Sequence, residues 1–313
     1  MAELRPKLMK LIKMIGGTAG VMNKITENDP EYYALDGVVT DDMADVACTM
    51  GLRVPRTFEF VQSKCGRTAE ETQKLLEQLC YVGVVKTWKD KDDGQPRYFV
   101  NIFAPGVLEM MVNNREQLAA HPEIGKAFEE YTRRRLAPMA ALFPEGMAMM
   151  RVVPVESSIA DNPDAQPWEK LSYYLDKYDT YSVSDCSCRQ SRRVINDGCG
   201  HLEKDMCIQM GEGAEFYIKT GRGRQVSRKE VEEILKFAET NGLMHDMPHT
   251  DGLGESAAIC NCCSCSCFAL RLATMFHTPD AIRSNYTSKV DAEKCVACGQ
   301  CVESCPTNAL KLG

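Results

Sequence analysis

Sixteen of the 313 residues are cysteine, and thirteen of those lie between Cys186 and Cys305. A chain with that distribution has to fold around its sulfurs. The last four, Cys295, Cys298, Cys301 and Cys305, are spaced C-x2-C-x2-C-x3-C and are followed by Pro306. Three thiols two residues apart let one tight loop aim three sulfurs at a small inorganic core. The proline then fixes the exit of the chain after the fourth. This is the spacing at which thiolates hold a [4Fe–4S] cubane. A zinc knuckle is the competing use of four thiolates, and the complete run with its proline favours the cubane.

Two further groups precede it. The first is Cys186-Ser-Cys188, then Cys199 and Cys207, four thiols that can wrap one four-metal site. Arg189, Arg192 and Arg193 follow directly on an expected helix, and cations beside thiolates lower their pKa and stabilise a negative cluster. Four thiolates suit tetrahedral Zn²⁺ equally well, but the C-terminal run tilts the choice toward iron–sulfur. His201 is a second-sphere hydrogen bonder or loop residue before it is a ligand. The second group packs Cys260, Cys262, Cys263, Cys265 and Cys267 into eight residues. They cannot all face one core from a regular strand or helix, so the segment can serve two sites. In two-cluster iron–sulfur folds the fourth cysteine of one motif ligates the other cluster. Cys260–Cys267 is therefore a candidate for the missing half of such a fold, with Cys305 completing a second cubane. Thirteen thiols allow at most three [4Fe–4S] clusters, and the expectation is two to three. His245 and His249, in the loop before this group, are weaker candidates for tuning or ligation.

The remaining composition limits the alternatives. A formal charge of −7 and a pI of 5.4 disfavour a dedicated nucleic-acid binder. No apolar run approaches the ~18 residues of a membrane span. The start, MAELRPKLMKLIKMIGG, is an amphipathic helix without the apolar core of an export signal. Many cysteines without an export signal point to a cytoplasmic protein that uses thiols for metal or redox chemistry rather than disulfides. Neither Gly211-Glu-Gly213 nor Gly221-Arg-Gly223 completes a dinucleotide fingerprint, so both are read as turns.

Residues 40–103 have the order of a winged helix. Met43, Val46, Ala47 and Met50 form one helical stripe after Thr40. Thr57 caps a second helix ended by Gly66, and Thr68-x-x-Glu71 is a capping box opening a third. Val82–Trp88 and Arg97–Phe103 then read as a hairpin around a polar wing. Cys65 and Cys80 are packing residues. The third helix exposes Glu70, Glu71 and Glu77 against Lys74 alone, a surface that would repel phosphates. Beyond it, Phe103 to about Met150 reads as helical and Met-rich, with Leu136, Met139, Leu142, Met147 and Met150 on its apolar side. Arg151–Glu156 reads as a strand, Trp168–Asp179 as an amphipathic helix, and Ser227-x-x-Glu230 as the start of a strong one.

On SDCSCRQ at 184–190, GCGHLEKDMC at 198–207, AAICNCCSCSC at 257–267 and the C-terminal run, the chain resembles a group of anaerobe 4Fe–4S ferredoxin-type proteins with an N-terminal winged-helix domain. The resemblance covers nearly everything from Thr40 onward. Relatives often read C-N-C-C-x-C-C where this chain has Ser266 between Cys265 and Cys267. The group implies electron transfer with partner oxidoreductases and identifies no reaction.

The expected fold is α+β, in five parts. These are a helical segment (1–39), a winged-helix domain (40–112), a helical connector (113–184), a cysteine-rich Fe–S region (185–280) and a ferredoxin-type module (281–313). The expected function is low-potential electron transfer between partner oxidoreductases, one of them a flavoenzyme or similar, because the chain has no flavin or nicotinamide site of its own. Two other readings stand beside it: a redox-sensing winged-helix regulator, and a catalytic Fe–S oxidoreductase using Cys260–Cys267.

Overall fold

A computed structural model describes residues 4–17, 24–140, 150–248, 258–275, 282–303, 305 and 310–311. Helix α1 (Pro6–Ile15) starts on a proline at its first position, where no intrahelical N–H is needed. It buries Leu8, Leu11, Ile12 and Ile15 completely. After α2 (Pro30–Asp36), Thr40 accepts the Met43 amide at 3.2 Å and opens α3 (Asp41–Met50). The stripe Met43, Val46, Ala47 and Met50 faces the core. Thr57 caps α4 (Phe58–Cys65), which Gly66 ends in the left-handed conformation. Thr68 and Glu71 form the capping box of α5 (Ala69–Val82). The hairpin is β1 (Val85–Lys89) with β2 (Pro96–Val100), in register Val85 to Val100. It begins later than the apolar run from Val82 suggests. Val82 is the last helical residue, and Gly83, at φ +104°, lies so close to a later helix that a Cβ would meet Met110 at 2.9 Å.

Helices α6 (Leu108–Asn113), α7 (Arg115–Ala120) and α8 (Glu123–Tyr131) follow. Leu136 is buried beyond α8, whereas Leu142 and Met147 lie outside the described residues. Met150 is not helical. It opens β3 (Met150–Val153), the first strand of a seven-stranded sheet. The helix expected over Trp168–Asp179 shrinks to Leu171–Leu175, because Lys170 is extended and the Tyr181 hydroxyl bonds the carbonyls of Leu175 and Tyr178.

The sheet takes its other strands from β4 (Tyr181–Ser184), β5 (Cys207–Met210), β6 (Arg224–Val226), β7 (Met244–Pro248), β8 (Ala258–Cys262) and β9 (Ile282–Arg283). Their order is β6-β4-β5-β8-β7-β3-β9, antiparallel except for β3 beside β9. Between them lie α9 (Ser187–Val194), α10 (Glu212–Lys219), α11 (Arg228–Thr240) and α12 (Phe268–Met275). The division at 184/185 therefore cuts through one sheet: β3 and β4 belong to the supposed connector yet pair with strands of the cysteine-rich region. Mixed helix and sheet, α+β, is the architecture.

Side chains alternate across a strand, so the sheet has two faces of different chemistry. One is aliphatic. Val183, Ile208, Met247 and Ile259 pack there with Val231 and Leu235 of α11. The other carries Cys207, Cys260 and Cys262 toward the N-terminal helices. Arg222, buried just before β6, ties these halves together by donating to the carbonyls of Met110 at 2.8 Å and Tyr81 at 2.5 Å.

Candidate metal centres

The strand pairing explains why sulfurs distant in sequence meet. Cys207 on β5 lies opposite Cys260 on β8, and Cys262, two residues on, shares their face. Cys186 occupies the N-cap position of α9 and Cys188 its first turn, while Cys267 directly precedes α12. The chain ahead of Cys186 is anchored: Asn113 donates to the Asp185 carbonyl at 2.6 Å, and Arg115 grips the Asp185 carboxylate.

Six sulfurs thereby close a ring. Cys186 meets Cys188 and Cys207; Cys188 and Cys262 both meet Cys267; Cys260 meets Cys207 and Cys262. Proton affinity alternates around it. Cys186, Cys260 and Cys267 are favoured as thiolates by the thiol neighbours on either side, Cys260 down to about 5. Cys188, Cys207 and Cys262, each between two of these, are pushed well up. Helix N-termini behind Cys186 and Cys267 add to the preference for negative charge.

Two carboxyl groups border the ring. Asp246 on β7 pairs in register with Cys260 and is completely buried. Neither of its oxygens meets a donor in good geometry, although the Cys262 thiol lies beside it. Burial, then the charge of Cys267, raises its pKa well above the carboxylate range. Burial likewise lifts Glu109 to about 7. No sequence signal marks Asp246, whose position depends on the β7–β8 register. His245 is its neighbour on the strand and faces away from the ring. Its Nδ1 lies 2.8 Å from Asn261, and Nε2 lies 3.6 Å from Glu239. His249 lies outside the described residues.

The three remaining thiols of the two middle groups form a different site. Cys199, Cys263 and Cys265 gather with His201, and the four donor atoms all lie within 4.8 Å of one another. Cys199 therefore leaves the group it was read with, because Gly200, at φ +81°, turns it and His201 together toward the 263–265 loop. Arg189 stands between the two sites, only 2% exposed. It donates from Nε to Cys263 Sγ at 3.3 Å and from its other nitrogens to the carbonyls of Leu202 and Asn261. Burial opposes its charge, but Cys186 and Cys263 more than restore it, and its pKa rises. Cys260–Cys267 is thus not half of a ferredoxin fold. It is a central strand and the turn after it, sending Cys260, Cys262 and Cys267 one way and Cys263 and Cys265 the other.

The C-terminal run lies beyond β9. Glu169 holds its base, accepting from Asn285 and Tyr286 at 2.7 Å each. Cys295, Cys298 and Cys301 are exposed and Cys305 is half-buried. A family model for the 4Fe-4S binding domain matches residues 288–311, so a ferredoxin-type motif with general capacity for iron–sulfur electron transfer stands at this end. No curated protein and no solved structure matches the chain. Among the described residues, no helix is long and apolar enough to cross a membrane.

Proposed function

We propose that this chain passes single electrons between partner oxidoreductases through two iron–sulfur clusters. Cys295, Cys298, Cys301 and Cys305 hold one, and the ring of Cys186, Cys188, Cys207, Cys260, Cys262 and Cys267 surrounds the other. The observation that carries the second half is the ring itself. Six soft donors in one ring, four of them buried and two half-buried, are more than a mononuclear ion accepts and suit a polynuclear iron–sulfur centre. Arg189 and the two helix N-termini offset the charge such a cluster brings.

Two-electron chemistry resides in a partner, a flavoenzyme or another low-potential oxidoreductase, since the sequence carries no flavin or nicotinamide fingerprint. The segment from Asp41 to Val100, read as a winged helix, serves as a docking element. Its third helix exposes Glu70, Glu71 and Glu77, which would repel a phosphate backbone, and Arg97 of the wing is paired with Asp90 and Asp93.

Protein prepared without oxygen should contain about eight irons and eight sulfides per chain, with spin signals appearing on dithionite reduction. Colourless, iron-free protein that stays silent under dithionite would end this reading.

A further inference from the structure

The site of Cys199, His201, Cys263 and Cys265 has the dimensions of a single metal ion's donor set. Cys199 Sγ and Cys263 Sγ are 3.8 Å apart, and Cys265 Sγ is 3.5 Å from His201 Nδ1. A tetrahedral zinc ion with bonds of ~2.3 Å to sulfur and ~2.0–2.1 Å to nitrogen sets sulfurs ~3.8 Å apart and sulfur to nitrogen ~3.6 Å. On a cubane each thiolate binds a different iron at a different corner, so its donors need not all converge on one point as these four do. Among the described residues, this is the set in which three or more donors crowd within 4.8 Å.

We infer that Cys199, His201, Cys263 and Cys265 bind one zinc ion, a Cys₃His site separate from the iron–sulfur centres. The surroundings suit it. Ser266 donates to Cys199 Sγ at 3.2 Å and Arg189 to Cys263 Sγ at 3.3 Å, leaving the metal's own bonds intact while neutralising excess thiolate charge. Here Ser266 supplies a hydroxyl to a ligand rather than a further thiol.

Chain order gives the ion a purpose. Cys199 lies between ring residues Cys188 and Cys207, and Cys263 and Cys265 lie between Cys262 and Cys267. One ion therefore staples the two loops that present the ring from outside, without entering it.

The test is zinc and iron analysis of the full chain prepared without oxygen, together with X-ray absorption at the zinc edge. About one zinc per chain with a shell of three sulfurs and one nitrogen is expected. The exposed positions are then replaced singly, His201→Ala and Cys265→Ser. Each should lower zinc content severalfold while leaving iron per chain unchanged. Loss of about four irons with either variant, or a zinc-free parent protein, overturns the assignment. Should a variant fail to fold, the zinc-edge shell of the parent decides alone. Because zinc and iron are counted separately, failure of the electron-transfer reading appears as missing iron and leaves this result legible.

Discussion

A guanidinium that is 2% exposed must find partners for its N–H groups, and Arg189 finds a sulfur and two carbonyls. The charge of Cys186 also acts on it, so one cation serves both sulfur sites. A reduced cluster carries one more negative charge than its oxidised form, and a fixed cation nearby favours the reduced state. Arg189→Leu should therefore lower the ring centre's reduction potential, on the order of 50–100 mV from the loss of a unit charge at close range. Arg189→Lys should shift it far less, though without bonding both carbonyls. An EPR-monitored redox titration checks the sign: an unchanged or higher potential in the leucine variant removes Arg189 from the account.

At the scale of elements, Glu129 is the fastening. From α8 it accepts both terminal nitrogens of Arg271 on α12 at 2.7 Å, with Arg133 at 2.6 Å and Arg192 of α9 at 3.2 Å. Burial works against the carboxylate, but Arg271 and Arg133 outweigh it and take the pKa down to about 2. The sign follows: this stability is complete above the unfolded carboxylate range near ~4.3 and is lost as pH falls toward 2. Glu129→Gln should cost about 3–5 kcal/mol near neutrality by leaving Arg271 buried and unpaired. Denaturant unfolding should show that gap narrowing only below about pH 4.5; a gap constant to pH 3 would mean the carboxylate is not what the arginines need. The N-terminal helices α3, α4 and α5 were readable. Thr40, Thr57 and the Thr68–Glu71 box each announce an N-terminus, and the apolar stripes behind them repeat at helical spacing. The two-way split of Cys260–Cys267 was also legible, because alternate residues of a strand cannot face one core. The grouping of ligands was not. It depends on β5 lying beside β8 in a register that sets Cys207 opposite Cys260, and on a glycine turn that swings Cys199 away. Short-range spacing holds no information on either. Asp246 was invisible for the same reason, since nothing within HDM marks the face it occupies.

Across the whole molecule the sulfurs occupy two environments, and that contrast has a kinetic consequence. In the ring, Cys186, Cys188, Cys262 and Cys267 are at most 9% exposed and Cys207 and Cys260 are half-buried. Cys295, Cys298 and Cys301 stand in water, on a segment tied down at β9 and by Glu169. A chelator or oxidant reaches an exposed cluster directly, but reaches a buried one only when the surrounding structure opens, an event governed by local stability. Iron release to a chelator under mild oxidation should therefore be biphasic, with about four irons in the fast phase. Cys298→Ser should abolish that phase, leave the slow one at its original rate, and barely move the thermal unfolding of the sheet, because its side chain contributes nothing to the core. Glu129→Gln should act oppositely, speeding the slow phase and sparing the fast one. Release of all iron in a single step, or a fast phase that survives Cys298→Ser, would show that exposure does not distinguish the two centres, and the division into an outer and an inner electron site would fall.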